Sequence, residues 1–394
     1  MLPMKNAKKS VQQKVKESNL SSIFNLIAKN EGISRVDIAK RLGLSTSTVS
    51  TLTDELLHKR IIIETGEVKS GDVGRRAIRL QINPLGGFFV CVVFSKGEFQ
   101  IDIYDLKEKL ESSHKISFSG EVLTGAYIID KIEEKIEFGY KYGKFFGLLF
   151  IMPSRQATSD TAMHMKEHYG YYFDPDWFRM IKNFYKDTMV LSESSIILSS
   201  HGRYFNTSSD VSLKVFHVNV DDMVTSCLMT SDEKNDERKT LKDFGKVGID
   251  FNSSVETGKG GQLKNYVTTN AIVSLINSSL NEELSFEQVV EGFKSGNGKI
   301  IEVVKKACYA FSYAISNVIN VVDVKAVIVS GEITSFGDKF KDYVCDYLFK
   351  FDSNLKNVYV KFFDDERLVS RCGMYYMFDK VFSGTDFDIA IAKQ

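Results

Sequence analysis

Five hydroxyl side chains fall within six residues, Thr46, Ser47, Thr48, Ser50 and Thr51, directly after Ser45. Small hydroxyls both donate and accept, and they do not hold a helix away from a groove floor. At this density they suit hydrogen bonds to phosphates and base edges. Farther along, Lys69, Arg75 and Arg76 surround Gly71 and Gly74. Cations on a glycine-containing loop are suited to phosphate oxygens. Ser34 and Arg35 precede both groups. Other chemistries are less well spelled. His164, His168, His201 and His217 are scattered without HExxH spacing and read as surface or satisfied side chains. The five cysteines, Cys91, Cys227, Cys308, Cys345 and Cys372, form no CxxC pair and read as buried thiols in a reducing compartment.

The hydroxyl cluster and the basic loop need elements to aim them. Ser34 can cap a short helix with Val36, Ile38, Ala39 and Leu42 on its apolar side. Gly43 permits a sharp turn. Ser45 can cap a second helix with Val49, Leu52, Leu56 and Leu57 inward, so the hydroxyls face out. Strand-like runs at 61–65 and 77–82 flank the basic loop. Helix, turn, helix and basic-tipped hairpin spell a winged helix-turn-helix, with the second helix in the major groove and the wing on backbone or minor groove. An earlier helix starting at Asn19 or Ser21, with Ile23, Phe24, Leu26 and Ile27 inward, would buttress it. Residues 1–17 read as a frayed or phosphate-contacting arm. The expected partner is double-stranded DNA. Its candidate contacts are Ser34, Arg35, Ser45, Thr46, Ser47, Thr48, Ser50, Thr51, Lys69, Arg75 and Arg76.

Charge supports this division. Residues 1–84 hold 15 Lys+Arg against 8 Asp+Glu, leaving 36 against 43 in the rest of a 394-residue chain of zero net charge. A basic head on an acidic body suits a DNA-binding module joined to something else, with strongly salt-dependent binding. No run of 18 apolar residues occurs, so no membrane span is expected, and a cytoplasmic protein is the default.

Asn83-Pro84-Leu85-Gly86-Gly87 breaks both periodicities and reads as the best linker. Beyond it the texture is α/β. Strands are expected at 88–94, 100–105, 116–118, 145–152 and 189–191, with helices at 126–142, near 177–185 and at 192–200. A second sheet begins at 213–220 and 224–230, and 231–262 is polar and glycine-dotted, with no element assigned. Helices at 263–280, 286–295, 299–322, 337–349 and 367–382 and strands at 324–329 and 358–362 complete the chain. The expected domains are 1–84, 85–200 and 201–394, with the C-terminal helix able to return to the middle one. Tyr169, Tyr171, Tyr172, Phe173 and Trp177 could line a pocket, a dimer face or simply a core.

The head's pattern resembles the regulator branch of the ROK family (repressors, open reading frames and sugar kinases). It is carried by Ser34-Arg35, Ile38-Ala39, Leu42-Gly43-Leu44-Ser45, Thr48-Val49-Ser50, Glu55-Leu56 and Gly74-Arg75-Arg76, and it continues through the body by layout. The resemblance implies a two-lobed, actin-like sugar-kinase fold behind the winged head, a homodimer or higher homo-oligomer, and a sugar-like effector near Pro153, Ser192, Glu193, Lys246 and Gly248. It also shows what has changed. The family's first phosphate turn, DxGGT, reads Val93-Phe94-Ser95-Lys96-Gly97 here. The catalytic Asn-Asp pair reads Ser192-Glu193, whose longer side chain displaces any base. The second phosphate turn corresponds to Asp221-Asp222-Met223-Val224-Thr225, with two carboxylates that would repel a nucleotide. GExGH becomes Gly245-Lys246-Val247-Gly248-Ile249, and the CxCGxxGC zinc loop becomes residues 255–262 without a cysteine. No zinc or other cofactor, and no catalytic residue, is expected.

Three functions follow for weighing. The first is a transcriptional repressor with a body that has lost its chemistry. The second is a working sugar kinase with an appended head, Glu193 acting as base. The third is an interaction platform without a small ligand.

Overall fold

The computed structural model describes residues 11–68, 77–95, 97–120, 122–152, 170–200, 214–231, 236–241, 244–249, 261–363 and 367–382. They form two compact units. One comprises the described residues of 1–152, 158–191 and 370–394, the other chiefly those of 192–369.

The first unit opens with the head: α1 (Val11–Lys29), β1 (Ile33–Ser34), α2 (Arg35–Leu42), α3 (Thr46–His58), β2 (Ile62–Val68) and β3 (Ala77–Ile82). Its sheet has the order β1-β3-β2. Ile23, Phe24, Ile27, Ile38, Val49, Leu56 and Leu80 are wholly buried between helices and sheet. Two expectations fail here. Helix α1 starts at Val11, well before Asn19, so residues 11–17 are not a frayed arm. Its first turns carry Gln and Lys, which favour helix without burial, and Val11 and Val15 are exposed, so no apolar stripe announced them. Val36, expected inward, is 64% exposed.

The lobe that follows is a five-stranded sheet of order β10-β8-β4-β5-β6. Its strands are β4 (Gly87–Ser95), β5 (Glu98–Asp105), β6 (Leu110–Ser117), β8 (Lys144–Met152) and β10 (Thr188–Ser192). A small parallel pair, β7 (Val122–Leu123) with β9 (Tyr172–Phe173), was not foreseen. Helices α4 (Gly125–Gly139) and α5 (Trp177–Phe184) lie with the sheet's inner face, where Phe88, Val90, Val92, Ile101, Ile103 and Phe150 form the core. Tyr171, Phe173 and Trp177 belong to that packing. Phe173 stacks on Trp177 at 4.5 Å between centroids, and Phe94 meets Phe173 edge-on at 4.9 Å. Tyr169 lies outside the described residues.

The expected linker is instead a tight elbow. Asn83 Nδ2 donates to the Arg60 carbonyl (2.6 Å), and the Asn83 N–H donates to the Ile61 carbonyl (2.9 Å). A Cβ on Gly86 would lie 2.5 Å from the Arg60 carbonyl oxygen, and one on Gly87 would lie 2.1 Å from the Phe146 ring. The glycines are there for close backbone approach rather than for freedom. The C-terminal helix α12 (Leu368–Phe382) secures the same joint. Phe382 stacks on Phe24 of α1 at 4.2 Å, and Ser21 Oγ donates to the Phe382 carbonyl at 2.8 Å. Lys107 of the lobe pairs with Glu31 of the head at 2.8 Å.

The second unit repeats the sheet plan. Its order is β13-β12-β11-β14-β15, from β11 (Lys214–Val220), β12 (Val224–Ser231), β13 (Asp236–Leu241), β14 (Ala326–Ser330) and β15 (Tyr359–Phe362). In each sheet a meander of three antiparallel strands continues into parallel pairing on its other side. Strand β13 falls in the polar, glycine-dotted stretch to which the sequence assigns no element. Its residues Asp236-Glu237-Arg238-Lys239 are charged because it is an edge, where charge deters further pairing. The helix expected over 263–280 is two, α7 (Lys264–Val267) and α8 (Thr269–Leu280), broken at extended Thr268, which caps α8. Helices α9 (Phe286–Ser295), α10 (Gly298–Val322) and α11 (Asp338–Phe351) cover one face of the sheet, and α6 (Glu193–Ser199) packs with β11 and β12.

Candidate nucleic-acid interface

Helix α3 follows from local rules. Ser45 is extended and its Oγ accepts the Thr48 N–H at 3.1 Å, satisfying a donor that the first turn leaves open. Gly43 takes the left-handed conformation that closes α2. Val49, Leu52 and Leu56 point inward and are buried. Thr46, Ser47 and Thr51 are exposed, and Ser50 is half-exposed. Thr51 Oγ1 donates to the Ser47 carbonyl at 3.0 Å, keeping its lone pairs outward. Thr48 is drawn into the cap through Ser45 Oγ at 2.8 Å. Among the described residues nothing hydrogen-bonds the Thr46 or Ser50 hydroxyls.

The other candidates divide. Ser34 is buried and caps α2, accepting from the Asp37 N–H. Arg35 is held by protein: Nε donates to Thr53 Oγ1 (3.0 Å), Nη1 to Glu64 Oε1 (2.9 Å) and Nη2 to Asp54 Oδ1 (3.0 Å). Lys69, Arg75 and Arg76 lie outside the described residues. Arg79 on β3 was missed. It is exposed, it sits across from Ser34 in the β1–β3 ladder, and its Cδ lies 3.3 Å from where a Gly32 Cβ would be. Its signal was an arginine at an outward position of a wing strand.

The body's candidate positions fall differently. Pro153 lies outside the described residues, Lys246 and Gly248 are exposed, and Ser192 is buried at the start of α6. Glu193 is half-buried. Burial, and then the charge of Asp221, pushes its carboxyl up to about 8. Asp221 is likewise raised, chiefly by burial, although Glu332 and Asn219 bonds oppose the rise. Asp221 Oδ1 accepts the Glu332 N–H at 2.6 Å, and Oδ2 accepts Asn219 Nδ2 at 2.6 Å. Asp222 Oδ1 accepts Thr269 Oγ1 at 3.1 Å, in the first turn of α8, where a carboxylate meets the helix's positive end.

The chain of bonds runs deeper. Ser330 Oγ donates to Asn219 Oδ1 at 2.8 Å, so His217 Nε2, 2.8 Å from Ser330 Oγ, must donate to it. His217 Nδ1 is then a bare acceptor, buried and without a partner among the described residues. His217 is therefore neither a surface histidine nor a fully satisfied one. Its burial pushes the imidazole down to about 3. His164, His168 and His201 lie outside the described residues. The signal missed was polar alternation in a strand, His217 and Asn219 between Phe216, Val218 and Val220. Four cysteines are buried and Cys345 is half-buried, all with free thiols. No described helix is long and apolar enough to cross a membrane.

Comparison with known proteins agrees with this partition. A model of winged helix-turn-helix DNA-binding domains matches residues 19–63. The xylose repressor of Staphylococcus xylosus is 20% identical over 309 residues, covering 76% of this chain and 77% of the repressor. A crystal structure of a ROK family transcriptional regulator, a homologue of the Escherichia coli Mlc protein, superposes with a TM-score of 0.74 at 16% identity, covering 96% of this chain and all of that one. A ROK family glucokinase from Streptomyces griseus, in complex with glucose and AMPPNP, reaches 0.56 at 10% identity, covering 74% of this chain and 99% of that one. The chain is thus a winged helix-turn-helix protein with a body of sugar-kinase fold. Its body is similar in fold to those of ROK family transcriptional regulators and sugar kinases.

Proposed function

We propose that this chain is a DNA-binding transcriptional repressor, cytoplasmic and homodimeric, whose body takes a sugar-like effector and does not transfer phosphate. The observation that carries the DNA reading is the outer edge of α3, with Thr46, Ser47 and Thr51 exposed in the position from which a winged head reads a major groove. Two copies would place two heads on a two-fold site. The effector must bind the DNA-competent and incompetent states unequally. Ser192, Glu193, Lys246 and Gly248 remain its candidate contacts, with Pro153. The name of the Staphylococcus relative supports a pentose-like ligand and repression.

The loss of phosphotransfer is supported by the donor set. Where the fold family grips phosphate, the Asp221 and Asp222 carboxylates already occupy backbone and hydroxyl donors. Phosphoryl transfer relies on positioning and charge neutralisation, and these carboxylates oppose both. The stretches corresponding to the family's zinc site, 245–249 and 255–262, offer neither thiolate nor imidazole, so they do not fit the metal. An ATP-consumption assay over a panel of sugars tests this reading. No turnover above background, with a sugar-dependent rise in melting temperature, is expected. Turnover that Glu193→Gln abolishes would replace it with a kinase.

A further inference from the structure

Arg35 sits where a winged head approaches DNA, yet its guanidinium is turned onto the protein. We propose that Arg35 is a positioning residue that locks the reading helix α3 to the wing strand β2, and that it does not contact DNA. The inference rests on the DNA-binding reading above.

Three elements meet at this side chain. Arg35 begins α2, which Ser34 caps and so fixes. Its Nε reaches Thr53 Oγ1 on α3 at 3.0 Å. Thr53 is wholly buried and itself donates to the Val49 carbonyl at 2.8 Å. Nη2 reaches Asp54 on α3 at 3.0 Å, and Nη1 reaches Glu64 on β2 at 2.9 Å. A planar guanidinium can hold three such directions at once, whereas an ammonium acts as a point charge. Only 22% of the Arg35 side chain is exposed, so little of it is left for a phosphate.

The Glu64 end explains what is positioned. The β2–β3 ladder is regular to Glu64 and then shifts register before Glu67, around left-handed Gly66. A bulge bends a strand and increases its twist. Glu64 is therefore the last regular position before the wing changes direction, and Arg35 ties that position to the middle of α3. The spacing between the groove-reading helix and the departing wing is set in the free protein instead of being acquired on binding, which lowers the ordering cost of association.

The sign of one charge change tests this. A duplex is first selected from a randomised library with the full-length parent chain. Failure of the parent to enrich any sequence would count against DNA binding itself and is seen before any variant is made. With the selected duplex, Glu64→Gln, Arg35→Ala, Arg35→Lys and the Arg35→Ala/Glu64→Gln double variant are then compared across a salt series, with affinity referred to the folded fraction measured by circular dichroism. Removing a carboxylate near DNA ordinarily tightens binding. The positioning role predicts the reverse: Glu64→Gln weakens it, and Arg35→Ala weakens it about tenfold. The salt slope should stay at the parental value, Arg35→Lys should not rescue, and the double variant should be no worse than Arg35→Ala. Tighter or unchanged binding by Glu64→Gln, or a slope lower by about one in Arg35→Ala, would overturn the inference, the latter because it marks a lost phosphate contact. Should Arg35→Ala fail to fold, the exposed Glu64→Gln still decides by its sign.

Discussion

The outer edge of α3 and the Asp221 turn are both dense in polar groups, and they dispose of them in opposite ways. On α3 the apolar side chains Val49, Leu52 and Leu56 are buried and the Thr46, Ser47 and Thr51 hydroxyls face solvent. At the Asp221 turn, one carboxyl, one amide, the Ser330 hydroxyl and one imidazole are joined in an internal chain from the Glu332 N–H to His217. Polar groups at an exposed edge keep lone pairs for a partner even when they also bond locally, whereas polar groups bonded inside their own chain are structure. Under the proposed function, the difference separates a recognition edge from a retired phosphate turn more clearly than residue types do.

The largest expected effect lies in the inward chain. Gly331 is left-handed, and a Cβ there would lie 2.5 Å from the Val220 carbonyl oxygen, 2.6 Å from Asp221 Oδ1 and 2.7 Å from Asn219 Oδ1. Gly331→Ala should cost about 3 kcal/mol or more in urea unfolding, through backbone strain and displacement of the chain's bonds. A loss below about 0.5 kcal/mol would mean that the turn is loosely held.

A smaller effect concerns pH. Glu193 has a carboxyl raised from 4.5 to about 8. The folded state holds that proton more tightly, so its contribution is complete below the unfolded value and disappears as pH rises through 8. Glu193→Gln, which keeps a neutral side chain, should match the parent near pH 4 and exceed it in stability by roughly 1–3 kcal/mol above pH 8. His217, depressed from 6.5 to about 3, has the opposite sign, losing stability as pH falls across that window. Melting temperature against pH, compared between parent and Glu193→Gln, checks both slopes. Parallel curves would mean that Glu193 ionises alike in the folded and unfolded states.

The smallest effect on stability, and the sharpest on function, is expected outside. Ser50→Ala and Thr51→Ala should each change stability by less than about 0.5 kcal/mol. Each should nonetheless weaken specific DNA binding by about 1 kcal/mol, read by fluorescence anisotropy. A drop in melting temperature without a change in affinity would assign these hydroxyls to structure.

The legibility of the chain follows the same division. α2, α3 and the two wing strands could be read because capping serines, Gly43 and apolar spacing agreed with one another. Most strands and helices of the body were legible from continuous apolar runs. Edge strand β13 was not, because an edge strand can carry charge as a loop does. The elbow at Asn83–Gly87 misled because glycine serves both freedom and close packing, and only Arg60 and Phe146 decide between them. The protein-held state of Arg35 was not legible either: its partners Asp54 and Glu64 lie 19 and 29 residues away. No local pattern connects them.

Central to the proposed function is a duplex read by the hydroxyl edge of α3. The most direct measurement is selection from a randomised duplex library, run in parallel with the parent and with a variant carrying Thr46→Ala, Ser47→Ala, Ser50→Ala and Thr51→Ala. The parent should enrich a two-half-site sequence, while the variant should retain only salt-sensitive binding without sequence preference. Enrichment of the same sequence by both proteins would contradict the account.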